Sequence, residues 1–195
     1  CVLRSWKLAN TDISKGGFSV AVIGGGPIGC LHAFYVNEKN KENTITIVES
    51  CPERRKVLNS VFDSFPNIKI SNNSIIDSFD ISVMASSDTS AYEESFRLLK
   101  DDGYLILFSG FNDPKFNDES YNPEIVHRQE FIHFFKSKKL VGSSGYNSED
   151  LIDAKRILFN FDNILNIVTG KVYGLDSKTV YRYDGVVTTY DEPVL

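Results

Sequence analysis

The sequence predicts an α/β domain built on a doubly wound, parallel six-stranded sheet in order 3-2-1-4-5-6, with helices on both faces. Three observations carry that expectation. Short apolar or β-branched runs alternate with segments of helical spacing along most of the chain. The first strand is apolar on consecutive residues, as a strand buried on both faces must be. A glycine-rich turn then joins that strand to the helix after it. At 195 residues, 42% hydrophobic and 24% charged, the chain is one substantial domain with a real core, and disorder is excluded.

The elements follow in order. Phe18–Ile23 (FSVAVI) is the first strand, with paired glycines on each side. From Pro27 to about Asn37, Ile28, Leu31, Phe34 and Tyr35 fall at helical spacing. Thr44–Glu49 (TITIVE) is the second strand, and it runs into Ser50-Cys51-Pro52-Glu53. That spacing predicts a capping box with Pro in the first turn, so a helix begins there and turns Val57, Leu58 and Val61 to the core. Asn67–Ile70 and Asp80–Ala85 are the third and fourth strands. Tyr92, Phe96 and Leu99 form the stripe of the next helix, stopped by Asp101-Asp102-Gly103, and Tyr104–Ser109 is the fifth strand. Residues 111–138 break the alternation: a polar stretch precedes Phe131, Ile132, Phe134 and Phe135, read as a helix crossing to the sixth strand at Lys139–Ser143. Asn147–Phe159 is an amphipathic helix whose Glu149 and Asp150 suit its N-terminal dipole. Between Val172 and Tyr190 two strands are expected around Asp184-Gly185, a two-residue hairpin signal foreign to a doubly wound sheet. The chain thus divides into a sheet domain, 1–160, and a divergent segment, 161–195, that belongs with an adjoining domain.

Composition removes several function classes. A net charge of −5 and a pI near 5.2 disfavour nucleic acid and anionic membranes as partners. No apolar run approaches the roughly 20 residues a bilayer requires, and the first residues have no signal-peptide pattern. Three cysteines, at 1, 30 and 51, supply neither a disulfide framework nor metal-ligand spacing, so a reducing, cytoplasmic compartment is expected. Cys30 and His32 lie inside the first helix and read as packing residues. His127 and His133 sit six apart in the aromatic segment and read as non-ligands. Neither a Ser/His/Asp nor a Cys/His set is legible, so no catalytic residue and no metal ligand is assigned. Residue 1 is Cys rather than Met, from which a piece of a longer chain is expected.

The strongest motif is Gly24-Gly25-Gly26-Pro27-Ile28-Gly29, which reads as G-x-G-x-x-G between a strand and a helix. Gly24 permits the tight turn, Gly26 lets backbone approach a pyrophosphate, and Gly29 lets helix and strand pack closely. Free N–H groups and the helix dipole then hold phosphate, and Pro27 gives up an N–H that has no helical partner. Glu49 ends the second strand, 20 residues beyond Gly29, where a carboxylate accepts ribose hydroxyls and repels a 2′-phosphate. NAD is therefore favoured, with NADP as the alternative. Arg54 and Arg55 flank this acid, either stacking on adenine and offsetting the bias against NADP, or forming a solvated helix face.

The run CVLRSWKLANTDISKGGFSVAVIGGGPIGCLHA resembles the medium-chain dehydrogenase/reductases, the group of zinc-dependent alcohol, polyol and threonine dehydrogenases. IVESCPERRK, FDISVMASSDTSAYEESFRLLKDDGYLILFSG and KKLVGSSGYNSEDLIDA extend the resemblance, in order, over roughly residues 1–160. It implies an NAD(P)-binding Rossmann domain with pyrophosphate contacts from Gly26, Pro27 and Ile28, ribose contacts from Glu49, and adenine near Arg54. It also implies that Ala85 and Ser86, with Ser109, Gly110 and Phe111, border the nicotinamide, and that the sixth strand pairs with its copy in a homodimer. The family's catalytic half, with its zinc ligands and proton relay, has no counterpart here, and zinc is expected only with such a domain.

Three readings follow. The first is the cofactor-binding portion of an NAD(P)-dependent alcohol or polyol dehydrogenase, passing hydride to or from a small alcohol or carbonyl substrate held by the missing domain and not turning over alone. The second is a non-catalytic dinucleotide-binding or scaffold module of a larger protein. The third is an FAD-binding protein, whose loop and acid are shared but whose later motifs are not.

Overall fold

The computed structural model describes residues 1–73, 78–109, 132–135, 137–159, 170–173 and 179–182. Its first element is one that the sequence reading did not separate, helix α1 (Val2–Ala9). Leu3, Trp6 and Ala9 bury one stripe of it, and Asn10 ends it in the left-handed conformation that Asn tolerates (φ 49°). Then come β1 (Ser19–Ile23), α2 (Pro27–Lys39), β2 (Thr44–Val48), α3 (Pro52–Val61) and β3 (Ile68–Ser71). The second half holds β4 (Phe79–Met84), α4 (Thr89–Arg97), β5 (Leu99–Leu107), β6 (Ile132–Phe135), β7 (Lys138–Gly142) and helix α5 (Ser148–Phe159). A separate antiparallel pair joins β8 (Gly170–Tyr173) to β9 (Thr179–Arg182).

The sheet runs β3-β2-β1-β4-β5-β7-β6. The first six of these are parallel and reproduce the 3-2-1-4-5-6 order, with β7 as the expected sixth strand. Side chains alternate across it because the strand period is two. Val20 and Val22 join Cys30, Ala33 and Phe34 of α2 in one core, with Ile45, Ile47 and Leu58. Ala21 and Ile23 join Ala91 and Tyr92 of α4 in the other, with Leu105, Leu107 and Leu140. Cys30 and His32 are fully buried. Trp6 Nε1 donates to His32 Nδ1 at 3.0 Å, and burial depresses the imidazole pKa to about 3, so the ring is neutral. His32 also meets the Phe108 ring edge-on, at 4.8 Å between centroids. Lys7 of α1 reaches α5, pairing with Asp150 (3.0 Å) and Asp153 (2.7 Å), and ties the first helix to the last.

Four expectations need correction. The aromatic segment is a strand, β6, antiparallel to β7, not a helix. Four apolar residues carry too little periodicity to decide, and an open edge of β7 would leave backbone groups unpaired beside the buried Leu140 and Val141. Since β6 occupies that edge, β7 cannot pair with its copy there. Helix α4 stops at Arg97, and Leu99, buried as expected, belongs to β5. The register slips between Phe79 and Ile81, where Asp102 takes a positive φ of 62°. The capping box at Ser50 does not form: Cys51 is the N-cap, and the Glu49 carboxylate accepts its N–H at 2.8 Å. The hairpin expected around Asp184-Gly185 lies outside the described residues; before it, β8 and β9 pair antiparallel.

Candidate functional site

The carboxyl ends of the central strands meet at one level. Gly24 N–H donates to Val48 C=O (2.9 Å), Ala85 N–H to Ile23 C=O (2.9 Å) and Ser109 N–H to Met84 C=O (3.0 Å). Neighbouring connections there leave in opposite directions, β1 into α2 and β4 into α4, so a crevice opens between them. This cleft encloses about 670 Å³ and is lined by Gly24, Gly26, Glu49, Arg54, Ala85, Ser86 and Ser109.

The glycine turn has the geometry its spacing implies. Gly24 sits at φ 104°, a conformation that L side chains rarely adopt. Gly29 presses α2 onto the turn so closely that a Cβ there would lie 1.9 Å from the Gly24 carbonyl oxygen. Gly26 is the N-cap of α2, with Pro27 beginning the helix, and a Cβ on Gly26 would meet nothing within 4 Å. That space opens on the cleft. The N–H groups of Ile28 and Gly29 belong to the first helical turn and have no acceptor within the helix. Together with the dipole of a 13-residue helix they favour an anion in front of Gly26.

Glu49 closes the opposite wall. It is only 3% exposed, and its two oxygens take three donors. Oε1 accepts from Cys51 N–H; Oε2 accepts from Gly25 N–H (2.9 Å) and from Arg54 Nη1 (3.1 Å). Burial by itself would raise the carboxyl pKa, but the two backbone donors and the Arg54 guanidinium outweigh it and hold Glu49 below its ordinary value. Arg55 instead donates to the carbonyls of Glu49 and Ser50. Glu49→Ala should cost about 2 kcal/mol of stability by orphaning those donors. Because the folded pKa lies below the unfolded one, Glu49's contribution is present above about pH 4.5 and fades as pH falls through the folded value. Denaturant unfolding at pH 7 and pH 3 checks this: the wild-type advantage over the Ala variant should shrink at the lower pH.

Of the residues singled out in the sequence, Gly24, Gly26, Glu49, Arg54, Ala85, Ser86 and Ser109 converge on this cleft. Pro27 and Gly29 shape its helix without lining it. Ile28 lies instead in an apolar groove of about 270 Å³ with Leu31, Leu3 and Ala154. Gly110 and Phe111 lie outside the described residues. Sequence reasoning missed the α4 wall. Asp88 caps that helix, accepting from Ser90 N–H at 2.8 Å, while Glu94 holds Arg97 at the cleft margin. The S-S-D-T-S run after the fourth strand is the signal that marks this second helix start. Among the described residues no group of three or more His, Cys, Asp or Glu side chains is placed to hold a metal ion.

No protein-family model and no curated protein matches the sequence. Solved structures do match its fold. A glucose dehydrogenase variant from Haloferax mediterranei superposes with a TM-score of 0.63 at 17% identity, over 90% of this chain and 51% of that one. S. aureus TarJ in complex with NADPH gives 0.62 at 16% identity, over 89% and 54%. Acetophenone reductase from Geotrichum candidum in complex with NAD gives 0.57 at 14%, over 82% and 42%. The chain therefore has the fold found in part of these three proteins, and spans about half the length of the solved chains it matches.

Proposed function

We propose that this chain is the cofactor-binding portion of an NAD(P)-dependent alcohol or polyol dehydrogenase. The observation that supports it most is the open cradle at Gly26, with the first turn of α2 on one side and the buried, charged Glu49 on the other. Gly26 and the N–H groups of Ile28 and Gly29 would hold the pyrophosphate, with Glu49 and Arg54 on the adenosine side. A carboxylate offers about four lone-pair sites, so Glu49 retains room for a ribose hydroxyl beside its three donors. Ala85, Ser86 and Ser109, with Gly110 and Phe111, would border the nicotinamide, which supplies hydride transfer when bound. The chain's own work is to orient and to screen charge. The alcohol or carbonyl substrate, and any zinc, would come with a further domain, and residues 161–195 would belong to that neighbouring part. The described helices include none long and apolar enough to cross a membrane, and free cysteines suit a reducing, cytoplasmic setting. Titration calorimetry with NAD tests the reading directly; absence of binding overturns it.

For assembly we propose a homodimer whose seam lies on the outer edge of β6, the last strand of the sheet among the described residues. A two-fold copy would satisfy the edge reciprocally. Sedimentation at micromolar concentration should give the mass of two chains, and a single-chain mass would refute the seam.

A further inference from the structure

The thiol of Cys30, fully buried in α2, lies 3.7 Å from the Gly25 carbonyl oxygen and donates to it. A thiol is a weak donor, but among the described residues no other group donates to this buried carbonyl. Gly25 is fixed from the other side as well. Its N–H goes to Glu49 Oε2 at 2.9 Å, and a Cβ on it would stand 2.4 Å from Leu58 Cδ1, so the residue has no room to shift. The peptide unit that follows joins the Gly25 carbonyl to the Gly26 N–H. It is trans, so the two groups point in opposite directions. With the carbonyl drawn inward to Cys30, the Gly26 N–H faces the cleft that Gly26 lines, and it has no acceptor among the described residues.

We infer that Cys30 is a positioning residue of the dinucleotide site: its thiol holds the Gly25 carbonyl inward and thereby presents the Gly26 N–H to the pyrophosphate. This rests on the dinucleotide reading above. A holding contact is required because the peptide lies between two glycines, so no side chain opposes its rotation. Without the thiol, the Gly25 carbonyl is a buried acceptor with no donor, and a flip into the water of the cleft relieves it. The flip turns only the bonds on either side of that peptide, so the Gly25 N–H keeps its place on Glu49. It replaces an N–H donor with a carbonyl oxygen where the phosphate must lie, and the oxygen repels the anion.

The test is calorimetric titration of the whole chain with NAD, as wild type and as Cys30→Ala, beside thermal unfolding and the Gly26 amide signal in nitrogen–proton correlation spectra. In wild type, NAD should move the Gly26 amide proton downfield as a charge-assisted bond to phosphate forms. Cys30→Ala should weaken NAD by about tenfold or more. Its Gly26 amide should already be displaced without nucleotide, and should no longer move downfield on titration. A residue that only packs would lower the melting temperature and leave NAD affinity and the Gly26 amide as in wild type; that outcome overturns the inference and leaves the dinucleotide reading standing. Should Cys30→Ala fail to fold, the wild-type signal decides, and a Gly26 amide that does not respond while NAD binds refutes the inference. If wild type binds no NAD, the dinucleotide reading itself fails, and this inference with it.

Discussion

Gly26→Val should abolish NAD binding while the chain stays folded. Gly26 has φ −71° and ψ 179°, extended values open to any residue, and a Cβ there meets no atom within 4 Å. The fold therefore loses little beyond the poorer N-cap, about 1 kcal/mol. A pyrophosphate held by the first turn of α2 has to occupy that same space, and the two valine methyls exclude it. The expected loss of affinity is at least about 100-fold, equivalent to about 2.8 kcal/mol. Calorimetry against wild type reads the affinity, and thermal unfolding shows that the protein is intact. Unchanged affinity in a folded variant would show that no phosphate lies against Gly26.

Gly29→Ala should do the reverse and break the fold three residues away. Its Cβ would stand 1.9 Å from the Gly24 carbonyl oxygen and 3.3 Å from Val22 Cγ1. The first of these is backbone within a turn that Gly24 already holds at positive φ, so it cannot move aside cheaply. Either α2 lifts from the sheet or the turn opens, and both disturb the core in which Cys30 and Ala33 meet Val20 and Val22. The expected cost is about 3 kcal/mol or more. At about 2–4 °C per kcal/mol for a domain of this size, the melting temperature should fall by about 6 °C or more. A variant that melts with wild type would mean that α2 sits farther from the turn than these contacts require.

These neighbouring glycines mark what a one-dimensional reading reaches. Strands β1, β2, β4 and β7 were legible within a residue or so at each end, because a parallel strand covered on both faces must be apolar on consecutive residues. The turn and Glu49 were legible because phosphate contact, tight turning and close packing demand particular residue types at particular spacings. The wall formed by Asp88 and Ser90 was present as a helix-start signal, but nothing local assigns a helix start to a given cleft.

Other features depend on contacts distant in the chain. β6 is a strand because β7 offers an unpaired edge, a demand the aromatic run does not itself carry. Leu99 suits the helical stripe equally well, and only its pairing with Phe79 makes it part of β5. Trp6 and His32, 26 residues apart, become partners only when α1 lies on α2. Glu49 shows the division most sharply. Its identity and position follow from the sequence pattern, whereas the direction of its carboxylate was decided by Gly25, Cys51 and Arg54, which share its two oxygens only after the turn and α3 are in place. Sequence alone thus determined the strand–helix alternation, the order of the six parallel strands and the glycine turn, since these rest on local periodicity and backbone sterics. The tertiary structure decided the edge pairing and the setting of the charged groups, because unpaired backbone and buried charge find their partners only where packing brings them.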